Sequence, residues 1–202
     1  MDTEVKKFIE DNADLLEKGD FEQFYKKLGT ERTSSGQFTE VFLGAGIDPA
    51  EYMREIPSYY LTGAKITSYT IPQTITSMAK YAFFDCNNLT DIVIPGNVKA
   101  VRKGAFFGCE NLKSVVVAEG VTEIESYAFH WCKELQDVTI ADSVTSIGRS
   151  AFDGCPKLTT INYLGTKDKW RNLKKGIEWK ADTPLEEVKC ADGIIKYPKR
   201  KA

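Results

Sequence analysis

Apolar residues recur along this chain with a fixed step of 23. Ile71, Ile94, Val117 and Ile140 form one column, and Leu89, Leu112, Leu135 and Leu158 a second. Ile92, Val115, Val138 and Ile161 form a third. The same step carries Ile75, Val98, Val121 and Val144, then Met78, Val101, Ile124 and Ile147. Small and aromatic residues obey it too: Ala82, Ala105, Ala128 and Ala151, followed by Phe83, Phe106, Phe129 and Phe152. Cys86, Cys109, Cys132 and Cys155 complete the set. One such unit is too short to bury its own apolar side chains. Stacked as turns of a coil, the units convert every column into a continuous buried ladder.

The elements inside a unit follow from local pattern. Leu89 to Ile94 ends in an inward–outward alternation, which predicts a half-buried strand. Copies of it should pair in parallel at about 4.8 Å per turn. Pro95 and Gly96 end the strand. Val121 to Ile124 predicts a second short extended piece. Ser126 to Phe129 predicts a turn or short helical piece, with the Ala column in a tight corner and the Phe column filling the centre.

The pattern Ile-Pro-x-x-Val-Thr-x-Ile-x-x-x-Ala-Phe-x-x-Cys-x-x-Leu-x-x-Ile resembles the BspA-type leucine-rich repeat family, from Ile71 to Asn162. The resemblance implies a right-handed solenoid with a ligand-binding role. A weaker half-unit precedes it: a step of 23 places Tyr60 under Phe83, Gly63 under Cys86, Ile66 under Leu89 and Tyr69 under Ile92. The expected fold is thus an α+β solenoid of about four 23-residue turns plus an N-terminal half-turn. A helical N-terminal cap (residues 1–55) and an α/β C-terminal cap (163–202) would flank a solenoid over 56–162.

Solenoid ends need polar caps. Val5, Phe8, Ile9, Leu15 and Leu16 have broadly helical spacing. Asp20 with Gln23 starts a helix ending near Leu28, residues 29–37 form a polar linker, and Asp48-Pro49 with Glu51 starts another helix. At the back, Thr166 should cap a helix through Leu173 with Trp170 inward. Val188–Cys190 and Ile194–Tyr197 should flank a hairpin turn.

Charge changes the picture modestly. The net charge is −2, distributed as −6 over residues 1–60, −1 over 61–162 and +5 over 163–202. The basic end, with Lys196 to Lys201, allows a weak nucleic-acid contact. No run of roughly 18 apolar residues crosses a membrane. Met1 to Glu10 lacks the apolar core of a secretory signal, so the expected location is cytoplasmic.

Candidate chemistry is sparse. His130 is the single histidine. The 23-residue cysteine spacing is the repeat period rather than a zinc half-site, and buried thiols are the expected state. No phosphate loop, nucleophile elbow or metalloprotease helix is present. Catalytic residues, cofactors and metals are therefore not expected.

Function in a solenoid falls to the positions that the repeat leaves free. The outward strand face should present Ser68, Thr70, Asp91, Val93, Ser114, Val116, Asp137, Thr139, Thr160 and Asn162. Five strands offer a projected face on the order of 240 Å², against about 800 Å² per partner in a standard interface. The second set flanks the Ala and Phe columns: Tyr81, Phe84, Phe107, Tyr127, His130 and Trp131. Grouped aromatics anchor interfaces, or else pack sideways against one another. The expected protein is a non-enzymatic, monomeric protein-binding scaffold inside the cell, suited to a mobile-element or phage-encoded inhibitor of a host protein. The alternatives are an adhesin-like surface protein for matrix or glycan, and a nucleic-acid-associated protein using the basic C-terminal segment.

Overall fold

The computed structural model describes residues 3–18, 23, 24, 27, 43 and 48–198. Two ladders of short strands run along the coil. The longer ladder takes β2 (Ser68–Thr70), β4 (Asp91–Ile94), β6 (Ser114–Val117), β8 (Asp137–Ile140), β10 (Thr160–Tyr163) and β12 (Glu187–Cys190) in parallel. An antiparallel β13 (Gly193–Lys196) closes it, making seven strands. The opposite side carries β1 (Glu55–Ile56), β3 (Ser77–Met78), β5 (Ala100–Val101), β7 (Glu123–Ile124), β9 (Ser146–Ile147) and β11 (Lys174–Lys175), also parallel where paired. The chain is a β-solenoid of about six turns, with a strand of each ladder in every turn.

The strands form where the periodicity places them. In β4 the pattern is exposed–buried–exposed–buried, with Ile92 and Ile94 inward. Register is kept at 23: Asp91 pairs with Ser114, Ser114 with Asp137, and Asp137 with Thr160. Phe83, Phe106, Phe129 and Phe152 stack through the centre at centroid distances of 4.9, 5.3 and 5.2 Å. All four are fully buried.

The expected four and a half turns are corrected to about six. Beyond Asn162, the step between paired residues rises to 28 for Ser146 with Lys174 and to 27 for Thr160 with Glu187. The extra residues form α3 (Lys167–Asn172), which is inserted between β10 and β11. The segment expected only as a C-terminal cap therefore supplies β11 and β12 to the ladders. Thr166 caps α3 by accepting from Lys169 N, Trp170 is buried, and the hairpin lies at the expected place.

The first turn also departs from 23. Glu55 pairs with Ser77, a step of 22, whereas Ser68 pairs with Asp91 at 23. Tyr60 and Gly63 therefore fall one position away from the expected columns. Tyr69 does pair with Ile92.

At the front, α1 (Thr3–Asp11) and α2 (Ala13–Glu17) contribute Ile9 and Leu16 to the common core. Apart from Gln23, Phe24 and Lys27, the helix expected toward Leu28 and the linker 29–37 lie outside the described residues. The helix expected after Asp48 is a four-residue 3-10 turn, Pro49–Tyr52. It stops because the chain must extend into β1. The Asp48 carboxylate accepts from Ala50 N at 2.9 Å, and from the Tyr60 and Tyr69 hydroxyls at 2.6 and 2.8 Å. It thus ties the turn to the solenoid. Among the described residues, no helix is long and apolar enough to cross a membrane.

Candidate partner-binding surfaces

Five turns bend sharply at two left-handed positions, four residues apart, and the sixth at one. The first column holds Tyr59, Tyr81, Gly104, Tyr127, Ser150 and Glu178, at φ of 63, 62, 61, 61, 50 and 56°. The second holds Gly63, Asp85, Gly108, Trp131 and Gly154, at 74, 51, 74, 60 and 71°. The bends aim backbone donors at the next turn. Tyr81 N donates to Lys103 O at 3.0 Å, Gly104 N to Ser126 O at 3.1 Å and Tyr127 N to Arg149 O at 2.9 Å. Asp85 N donates to Phe107 O, Gly108 N to His130 O and Trp131 N to Asp153 O, at 2.9 to 3.0 Å.

Side chains at these bends form a continuous aromatic seam. Tyr59 stacks on Tyr81 at 6.2 Å, and Tyr81 meets Phe84 edge-on at 6.0 Å. Phe84 stacks on Phe107 at 5.5 Å. Phe107 lies 5.1 Å from His130 and 5.7 Å from Trp131. Tyr127 meets His130 edge-on at 5.7 Å. The sequence-derived seam residues are therefore brought together. Tyr81, Phe84, Phe107, Tyr127 and His130 are half-buried, whereas Trp131 is 53% and Tyr59 46% exposed. Tyr59 was missed because the first turn steps by 22.

The glycines explain why the aromatics alternate with small residues. A Cβ on Gly104 would lie 2.3 Å from the Tyr81 ring, and one on Gly154 2.3 Å from the Trp131 indole. Tyr81 and Trp131 lean over the next turn, which must be small there, whereas Tyr59 stacks on the Tyr81 ring instead.

His130 has a specific environment. Its Nδ1 lies 3.6 Å from Asp153 Oδ2, beyond hydrogen-bond reach, and is buried. Burial holds the imidazole below its ordinary value, outweighing the opposing pull of Asp153. The ring is thus neutral near pH 7.

The thiols are occupied elsewhere. Sγ of Cys109, Cys132 and Cys155 donates to the carbonyls of Phe83, Phe106 and Phe129 at 3.0, 3.2 and 3.2 Å. Burial pushes the Cys155 thiol up to about 12 and those of Cys86 and Cys132 well up. These are poor nucleophiles and poor metal ligands.

The outward strand face presents Asp91, Val93, Ser114, Val116, Asp137 and Thr139 as expected from their alternation, with Val93 54% exposed. β12 and β13 extend it by Glu187, Lys189, Ile194 and Lys196. Seven strands still give a face of only about 340 Å². In the basic C-terminal segment, Lys169 pairs with Asp142 and Arg171 with Asp168. Lys189 and Lys196 both approach Glu187, at 3.9 and 3.8 Å.

Fold and surface define a leucine-rich-repeat solenoid, an architecture consistent with a protein-binding scaffold. The chain belongs to the BspA type leucine rich repeat region family, whose model matches residues 54–172 in six copies. A solved leucine rich cell surface protein from Faecalibacterium prausnitzii is similar with a TM-score of 0.57 and 30% identity, over 60% of this chain and 32% of that one. The pneumococcal vaccine antigen PcpA is similar with a TM-score of 0.54 and 19% identity, over 69% and 33%. At that identity the likeness is one of fold. This chain spans about a third of each. No curated protein matches by sequence.

Proposed function

We propose that the protein is a non-enzymatic protein-binding scaffold acting inside the cell as a monomer, with the aromatic seam as its partner surface. The observation that carries this reading is the backbone at Tyr59, Tyr81, Tyr127 and Trp131. All four stand at φ near +60°, where neighbouring turns use Gly104, Gly108 and Gly154. A bulky residue there costs roughly 1–2 kcal/mol relative to glycine. Such strain is typical of sites where the side chain is needed for contact.

Glycine substitution is therefore the test. Trp131→Gly loses packing of a half-exposed ring, about 1–2 kcal/mol, and relieves strain of similar size. Thermal stability should stay within about 1 kcal/mol of the parent. Proteins cross-linked to the parent in producer-cell lysate should be lost with Trp131→Gly and kept with Val93→Ser. The reverse pattern would move the site to the strand face.

A second reading, a surface adhesin, is favoured by the likeness to a cell surface protein. Fractionating the native producer separates the two: recovery in the envelope fraction favours the adhesin, and recovery in the cytosol the intracellular scaffold.

A further inference from the structure

The second left-handed column alternates strictly: Gly63, Asp85, Gly108, Trp131, Gly154. Its two side-chain-bearing members are a carboxylate and an indole, with Gly108 between them. A Cβ on Gly108 would lie 2.1 Å from Asp85 Oδ1, so Asp85 reaches over Gly108. Trp131 leans the same way, over Gly154. The carboxylate and the indole are therefore about two strand spacings apart, roughly 10 Å. Phe107 flanks this interval, 5.7 Å from Trp131 and 5.5 Å from Phe84.

We propose that an arginine side chain of the protein partner seats in this interval, its guanidinium hydrogen-bonded to Asp85 and facing the Trp131 ring. This rests on the seam being the partner surface. The dimensions agree. A charge-assisted hydrogen bond of about 2.9 Å and a cation-to-centroid distance of up to about 6 Å together span roughly 9 Å. Arginine fits better than lysine because a planar guanidinium can stack on an aromatic face while forking onto a carboxylate.

Charge complementarity points the same way. Burial and the nearby Glu110 both hold the Asp85 carboxyl above its ordinary range, with no cation among the described residues opposing them. The neighbouring acids are already matched within the chain. Glu110 pairs with Lys133, Glu125 with Arg102, Glu134 with Lys157 and Glu178 with Arg149. Asp85 is the seam carboxylate that an incoming cation would relieve.

The test uses the full chain and two probes, acetyl-Gly-Gly-Arg-Gly-Gly-amide and its citrulline counterpart, which keeps the shape without the charge. The indole N–H of Trp131 is followed by NMR during titration. The arginine peptide should shift that resonance saturably, and the citrulline peptide should bind at least tenfold more weakly. Asp85→Asn, which tolerates the left-handed backbone, should weaken arginine binding about tenfold or more. Asp137→Asn, on the strand face, should leave it unchanged. Equal binding of the two peptides, or full affinity in Asp85→Asn, would overturn the proposal. The seam reading has its own readout. If Trp131→Gly abolishes cross-linking to the cellular partner while Asp85→Asn does not, the seam stands and the arginine assignment falls. If Trp131→Gly leaves cross-linking intact, both fall.

Discussion

At Thr183 the chain places a hydroxyl where four preceding turns have a thiol. Thr183 Oγ1 donates to Phe152 O and accepts from Cys155 N, continuing the pattern in which Cys109, Cys132 and Cys155 donate to the Phe carbonyl one turn back. Thr183→Val keeps the shape and orphans two buried backbone groups. It should cost about 1–3 kcal/mol in denaturant unfolding, and an unchanged midpoint would show that the carbonyl is satisfied otherwise. The thiols themselves should be silent toward an aromatic disulfide reagent in the folded state, except half-buried Cys190, and all five should react once unfolded. His130 gives a pH signature. Its folded value lies below 6.5, so the unfolded chain takes up the proton first as pH falls. The stability of the neutral imidazole is full above about 6.5 and is lost as pH falls through the folded value. The melting temperature should therefore drop more between about pH 7.5 and 5.5 in the parent than in His130→Phe. At this scale much was legible in the sequence: the Cys, Phe and Ala columns identify buried positions because burial at a fixed step leaves a compositional trace. The left-handed geometry at Tyr81 and Trp131 leaves none, since tyrosine and tryptophan do not advertise positive φ, and at Asp85 only the weak trace that aspartate tolerates it. The glycines at 104, 108 and 154 are its visible sign, and they occupy alternate turns.

Elements were legible where the step held and were lost where it changed. β4, β6 and β8 follow from the 23-residue period alone. β11 could not, and β12 was legible only as a hairpin strand, because α3 shifts their register and Trp179 stands beside Ala151 in the last turn, its carbonyl accepting from Phe152 N. The N-cap residue Thr166 and the aromatic Trp170 pointed to α3 without revealing that a turn continues past it. The C-terminal carbonyls of α3 are met by Lys175 Nζ, which donates to Trp170 O and, at 3.0 Å, to Leu173 O. The short strands also need close backbone contact beside them. A Cβ on Gly148 would lie 2.3 Å from Ser126 N, and one on Gly176 2.4 Å from Arg149 N. Backbone cannot swing aside as a side chain can. Gly148→Ala should therefore destabilise by more than the 1–3 kcal/mol usual for an overpacked core, read as a lowered unfolding midpoint. A loss below about 1 kcal/mol would mean that the β7–β9 ladder can spread.

For the whole molecule, a coil whose turns touch mainly their neighbours derives stability from intact interfaces at both ends. Ending the chain at Asn162 would remove β11, β12 and β13 and uncover Ile147, Ile161 and Phe152 at the last turn. The truncated protein should aggregate or lose its cooperative transition, whereas an independent cap could be removed with little loss. Circular dichroism melting and light scattering distinguish these outcomes.

The strict alternation of Gly63, Asp85, Gly108, Trp131 and Gly154 also acts as a ruler with marks on every second division. The backbone repeats at about 5 Å, but the surface it displays repeats at about 10 Å. A ligand displaced along the coil by one turn finds a glycine where a side chain stood, and must move two turns to meet side chains at those positions again. Sliding between neighbouring registers is thereby discouraged. A coil built from near-identical units, which would otherwise offer many equivalent berths, is left with one position at which carboxylate, ring and gap coincide.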